Sequence, residues 1–403
     1  MTGADLGGVD MGPKWLDLRA RRTGAALVAA AAAAVLAVAC VPMPTPAEGP
    51  DPSDAPRADE PAYAEHGPYE VGVTTILLSD RSAEVWYPVD PGDIGDEPRD
   101  VYFIKDYLST AFAALVPPEV NPPYVTDATR GVPASSDGPF PLVLFSHGFA
   151  SYRTQSTFLT THLASWGFVV VSPDYLERGL RSVLGEPPAG PRSDLDVADE
   201  SIEAMRAAGA DEAGPLGGVV DAASVYAVGH SAGGGTSIRL LARDDVDTAI
   251  PLAAGVSLLS LADTTKLLTP GEAVTWIAAP RDSIASIDDV RRGFDYTAGE
   301  RRLVEIGGSG HVNAFSDICE IGDGGVADLA RSIGIPVPES LLALGDDGCS
   351  VPPFKDSTDV WPEVRHFVTA ELRYRSGLDA EPVGLGSGVV AAFDDVQRYR
   401  HDP

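Results

Sequence analysis

The chain has 403 residues, 44% hydrophobic and 7% aromatic, enough to bury a large core and too apolar for a disordered polymer. Its formal net charge of −30 repels nucleic acid and anionic headgroups, which argues against a nucleic-acid partner. That charge says nothing of a substrate and reads as solubility.

Residues 24–39, "GAALVAAAAAAVLAVA", form an apolar run that follows Arg19, Arg21 and Arg22 and precedes Cys40. A basic start, an apolar middle and small residues before a cleavage point define an export signal over 1–40. "LAVAC" resembles a bacterial lipoprotein box, which makes Cys40 the expected lipidation site and membrane attachment point, although Ala37 stands where Leu is preferred. Met11 is an alternative start, and ordinary secretion or an uncleaved anchor are alternative fates. The protein is thus expected outside the cytosol, as an envelope lipoprotein or secreted. There Cys319 and Cys349, the two remaining cysteines, are expected to pair. Residues 41–67 are rich in Pro, Ala and acidic residues without apolar periodicity and read as a solvated linker.

A folded domain is expected over 68–376. "YEVGVTTILL" and "SAEVWYPV" form an opening hairpin, and after a Pro-containing connection "DYLSTAFAAL" (106–115) reads as a helix. "PLVLFSHGF" (141–149) is a buried strand, "RTQSTFLTTHLASWG" a helix, and "FVVVSPDY" (168–175) a second buried strand. "DLDVADESIEAMRAAG" (194–209) is helical, and "SVYAVGHS", "TAIPLAAG", "AVTWIAAPRD" and "RRLVEIGGSGH" are four further strands, the last closing the sheet. A long segment, 319–356, precedes the final helix "DVWPEVRHFVTAELRY", and 377–403 reads as a tail. Apolar runs alternating with amphipathic helices imply an α/β fold: a mostly parallel sheet of about eight strands with helices on both faces. There is no internal repeat and no cluster with metal-ligand spacing, so neither metal nor cofactor is expected.

Within "VYAVGHSAGGGTSI" (225–238), Ser231 has Gly229 before it and Gly233 after it, on a turn between a strand and a helix that packs through Ile238, Leu240 and Leu241. That context is the nucleophile elbow of Gly-x-Ser-x-Gly hydrolases. A serine needs a base, and the seven histidines can be taken in turn. His66 lies in the linker, His401 in the tail, and His162 and His366 on helices. His147 ends an early strand, and His230 adjoins Ser231 too closely to turn onto it and belongs to the substrate pocket. His311, in the loop of "EIGGSGHVNAF", remains as the base. Asp282, just beyond the strand "AVTWIAAP", is the candidate acid, with a helix N-cap as its structural alternative; Asp288 and Asp289 fall in the following helix. The oxyanion donors are expected to be the backbone N–H groups of Ala232 and Phe149, with Phe149 and Tyr152 lining the pocket.

"VLFSHGFASYRTQSTFLTTHLASWGFVVVSPDY", "VGHSAGGG" and "GGSGHVNAFSD" resemble the platelet-activating factor acetylhydrolase, dienelactone hydrolase and cutinase-like polyester hydrolase branch of the α/β-hydrolases, over roughly 68–318. The resemblance implies an α/β-hydrolase fold and carboxylic-ester hydrolysis of a small or lipid-like ester without a cofactor, with Ser231, Asp282 and His311 as the triad and Phe149 and Ala232 as the oxyanion donors. After "TAIPLAAG" the sequence "VSLLSL" lacks the tryptophan of the polyester hydrolases, and 319–356 is longer than the family pattern, placed to cap the cleft. Acyl transfer or amide cleavage by the same residues, and a non-catalytic envelope binding protein on this scaffold, are the competing readings.

Overall fold

Seven consecutive residues of "FPLVLFS" are buried, so this strand has no solvent face and must be covered on both sides. The computed structural model, which describes residues 57–268 and 271–403, shows how. The strands are β1 (Glu70–Leu77), β2 (Ser82–Val89), β3 (Arg99–Phe103), β4 (Pro123–Arg130), β5 (Phe140–Ser146), β6 (Val169–Pro173), β7 (Val220–His230), β8 (Thr248–Leu252), β9 (Ala273–Ala278), β10 (Arg301–Ile306) and β11 (Val396–Asp402). They form one sheet in the order β11-β10-β9-β8-β7-β5-β6-β2-β1-β4-β3. From β6 to β10 every neighbouring pair is parallel.

The helices are α1 (Thr110–Ala113), α2 (Thr157–Ser165), α3 (Leu180–Val183), α4 (Asp194–Ala210), α5 (Ala232–Leu240), α6 (Leu261–Leu267), α7 (Ile287–Tyr296), α8 (Gly325–Ser332), α9 (Glu339–Asp346) and α10 (Ser357–Ser376). Side chains alternate across a strand, so Val143 and Phe145 of β5 face one side, and Leu142 and Leu144 the other. The first pair joins a core with Phe158 and Leu163 of α2 and Val364 and Phe367 of α10. The second joins Ile202 and Met205 of α4, Ile238 of α5 and Phe294 of α7. Because β5 and β7 are the central strands, the turns at their C-terminal ends lie side by side at one edge of the sheet, which is where open parallel sheets place their sites.

Three expectations are corrected. The sheet has eleven strands rather than about eight, and the additions are at its edges. β3 and β4 come from the Pro-containing connection, and β11 from the expected tail, so "RRLVEIGG" does not end the sheet. Edge strands pair through the backbone and carry charge rather than an apolar pattern; on β11, Arg398 meets Glu305 and His401 meets Glu300. The expected helix over 106–115 is a 3₁₀ turn followed by the single turn of α1.

The expected linker also ends earlier than residue 67. The export signal, Cys40 and residues 41–56 lie outside the described residues, but Tyr63 is buried and joins the core of α10. His366 ties the segments before β1 and after α10 to that helix: Tyr63 N–H donates to its Nδ1 at 3.2 Å, and its Nε2–H donates to the Gly384 carbonyl at 2.8 Å. Burial pushes the His366 pKa down to about 4. The folded value lies below the unfolded one near 6.5, so stability is fully present above about pH 6.5 and is lost as the pH falls towards 4. His366→Ala should cost about 2 kcal/mol by leaving Tyr63 N–H and the Gly384 carbonyl unpaired. The melting temperature of the variant should fall less steeply than wild type between pH 6.5 and 4. Equal slopes would contradict this role for His366.

Candidate active site

Ser231 sits between β7 and α5 with φ 55° and ψ −120°, a left-handed conformation rare for a residue with a Cβ. Glycine makes it possible. A methyl group on Gly229 would lie 2.1 Å from the Gly233 carbonyl oxygen, and one on Gly233 would lie 1.9 Å from the Ser146 carbonyl oxygen. The helix therefore runs closer to β7 and β5 than any other residue type permits.

The loop after β10 brings His311 to the serine. Ser231 Oγ and His311 Nε2 are 2.9 Å apart, and His311 Nδ1 is 2.8 Å from Asp282 Oδ2. Asp282 and His311 are both buried. The carboxylate fixes the tautomer: Nδ1–H donates to Asp282, which leaves Nε2 free to accept from the serine hydroxyl. Asp282 is not a helix N-cap, since α7 is capped by Ser286; its second oxygen accepts the N–H groups of Ile284 and Ala285, each at 2.7 Å. Asp288 and Asp289 lie in α7, as expected.

The remaining histidines are occupied elsewhere. His162 is buried on α2, with Nε2 against the Tyr63 carbonyl at 2.9 Å. His147 accepts the Tyr175 N–H at Nε2 and donates from Nδ1 to the Gly148 carbonyl. His66 and His401 pair with Asp127 and Glu300.

The loop after β5 passes beside Ser231. Gly148 N–H donates to Gln155 Oε1 at 2.8 Å and Ala150 N–H to the Arg178 carbonyl at 2.7 Å. Between them, Phe149 N–H has no acceptor among the described residues. Ala232 N–H, in the first turn of α5, has none either, as expected at a helix start. The Gly148 and Ala150 N–H groups are committed while those of Phe149 and Ala232 remain available. The Phe149 side chain is 51% exposed. Tyr152 is buried and stacked on Tyr107 with ring centroids 4.4 Å apart, and both Phe149 and Tyr152 line the cavity that contains Ser231.

His230 also lines this cavity and is not idle. Gln155 Nε2 donates to its Nδ1 at 2.9 Å, and its Nε2–H donates to the His311 carbonyl at 2.9 Å. Burial, with the neighbouring His311 as a second cause, holds the His230 pKa well below the ordinary range, so the ring stays neutral. One line of hydrogen bonds thus joins the Gly148 loop, the residue before Ser231 and the backbone of His311.

Two further residues escaped sequence reasoning. Asp347 accepts Ser283 N–H at 2.9 Å through its side chain and Val312 N–H at 2.9 Å through its carbonyl, which joins the Asp282 turn to the His311 loop. Asp317 accepts the N–H groups of Thr157 and Phe158 at the start of α2. No spacing rule marks Gln155 or Asp347; their only signal is that they are polar and fall next to functional loops. The Cys319–Cys349 disulfide is formed and closes the segment that carries Asp347. Among the described residues, no group of three or more His, Cys, Asp or Glu could hold a metal ion.

Comparison with protein families matches residues 123–269 to chlorophyllase and residues 64–180 to platelet-activating factor acetylhydrolase, isoform II. Both families belong to the α/β-hydrolase superfamily, and the parallel sheet with helices on both faces agrees. The chain has the α/β-hydrolase fold. No curated protein matches the sequence significantly. The two matched families place the hydrolase among the esterase- and lipase-like enzymes of that type.

Loss of the Gln155 amide leaves Gly148 N–H and His230 Nδ1 of the hydrolase unpaired and both loops free to shift. Displacement of reacting groups by an ångström costs about 100-fold in rate. Gln155→Ala should therefore lower kcat for a p-nitrophenyl ester about 10- to 100-fold, with a smaller change in KM. An unchanged kcat would show that the line of hydrogen bonds does not hold the site.

Proposed function

We propose that this hydrolase cleaves carboxylic esters through an acyl-enzyme on Ser231. The observation that carries the proposal is the continuous contact from Asp282 Oδ2 through His311 to Ser231 Oγ, with separations of 2.8 and 2.9 Å. As Oγ attacks the ester carbonyl, its proton passes to His311 Nε2 and the new C–O bond forms. Asp282 holds the resulting imidazolium in place and offsets its charge. The oxyanion is met by the free N–H groups of Phe149 and Ala232, fixed before the reaction begins. Collapse breaks the bond to the alcohol oxygen, which takes the proton from His311. Water then attacks the acyl carbonyl and gives a proton to the same nitrogen; collapse breaks the bond to Ser231 Oγ, which takes that proton from His311, and the acid is released.

A binding role on the same scaffold favours a broken triad or a blocked donor, and neither occurs here. Ser231→Ala should lower kcat/KM for p-nitrophenyl butyrate by about 10⁴ or more, and Asp282→Asn by about 10⁴. Ser231→Ala should leave the melting temperature unchanged and abolish covalent labelling by a fluorophosphonate. Undiminished turnover by Ser231→Ala would reject the assignment.

A further inference from the structure

The cavity that contains Ser231 is roofed by two segments outside the sheet. One runs through the 3₁₀ turn and α1 and contributes Ile104, Leu108, Phe112 and Val116. The other is α8 and α9, with the connection between them. The two meet in an apolar cluster in which Leu108, Val116 and Leu184 pack with Ile333, Ile335 and Leu341.

On α8 and its C-cap, Val326, Leu329, Ala330 and Ile333 recur at the spacing of one helical face, and all four line the cavity. The opposite face carries Asp328 and Arg331, and Arg331 pairs with Asp328, Glu339 and Asp346. An amphipathic helix gains its stability by burying such a stripe. Here part of the stripe faces the cavity above Ser231 rather than protein.

The chemistry of the walls is one-sided. In a chain of net charge −30, none of the cavity-lining residues is an Asp, Glu, Lys or Arg. Polar side chains are confined to the floor, at Ser151, Tyr152, Gln155, His230, Ser231 and His311. A charged group taken into such walls loses its hydration with nothing to replace it, whereas each methylene gains.

We propose that the site selects esters that carry a long, uncharged aliphatic chain, and that the chamber between the 104–116 segment and α8–α9 holds this chain. The proposal rests on the ester-hydrolase reading above and adds the substrate class. α8 and α9 are then specificity elements, and the reactive carbonyl lies at the polar floor while the chain extends beneath the roof.

The test measures kcat/KM of the full chain on monomeric p-nitrophenyl esters from acetate to decanoate. Transfer of a methylene from water is worth at most about fourfold, so a rise of at least ~100-fold across the series is expected. A decanoate analogue that ends in a second carboxylate should be at least ~10-fold poorer than decanoate itself. Alkyl acetates with alcohols of two to ten carbons form a second arm; a rise in either arm supports the proposal and shows whether acyl or alcohol enters the chamber. Ala330→Phe fills part of the chamber and should lower the decanoate-to-acetate ratio about 10-fold or more. The ratio is read together with a melting curve, and the wild-type series decides the matter if that variant does not fold. Flat or falling activity in both arms, with acetate still hydrolysed, would overturn the chain proposal alone. No turnover of any ester and no fluorophosphonate adduct on Ser231 would overturn the hydrolase reading and this proposal with it.

Discussion

Ser231 occupies a backbone conformation that costs of the order of 1–3 kcal/mol for a residue with a Cβ, and the surrounding structure must hold it there. The close approach of α5 to β7 and β5 does so. Glycines at 229 and 233 allow the approach, Ser231 N–H donates to the Leu252 carbonyl at 2.8 Å, and the Ser231 carbonyl accepts Gly234 N–H at 2.8 Å. The hydroxyl is thereby presented above the sheet edge, with the open N–H of Ala232 beside it. The neighbouring loops are arranged around that point.

The arrangement is reinforced from three directions. Gln155 and His230 join the Gly148 loop to the backbone of His311 beneath the site. Asp347 joins the Asp282 turn to the His311 loop from above. Asp317, six residues after His311, binds the buried N–H groups at the start of α2, and its own N–H donates to the Gln155 carbonyl at 2.7 Å. These hydrogen bonds hold the Ser231, Asp282 and His311 side chains in line, the preorganisation that the proposed reaction needs. The segment that carries Asp347 and the Cys319–Cys349 disulfide also carries α8 and α9, so one of the two roof segments of the cavity and the brace of the Asp282 and His311 loops are one element. Neither family match extends to it.

The central strands and the Ser231, Asp282 and His311 positions were legible in the sequence because each depends on a local signal. A buried parallel strand must be apolar throughout, and each of the three residues falls just after one. The edges were illegible for the complementary reason. β11, "VQRYRHD", is held by backbone pairing to β10 and by ion pairs, so it has no apolar period to read. Residues 57–67 look like linker because their single buried anchor, Tyr63, finds its partners about 300 positions away at His366 and Asp379. Gln155 and Asp347 were missed because their roles exist only after folding brings together loops 75 and 64 residues apart in sequence. His230 was placed in the pocket by adjacency; its part in joining two loops depends on partners that adjacency does not reveal.

The most direct measurement is acid quench of the full chain during turnover of a p-nitrophenyl ester, followed by peptide mapping by mass. The account predicts one acyl group per chain, on Ser231, and loss of that group in His311→Ala. An acyl group on another residue, or steady turnover with no acylated peptide, would contradict it.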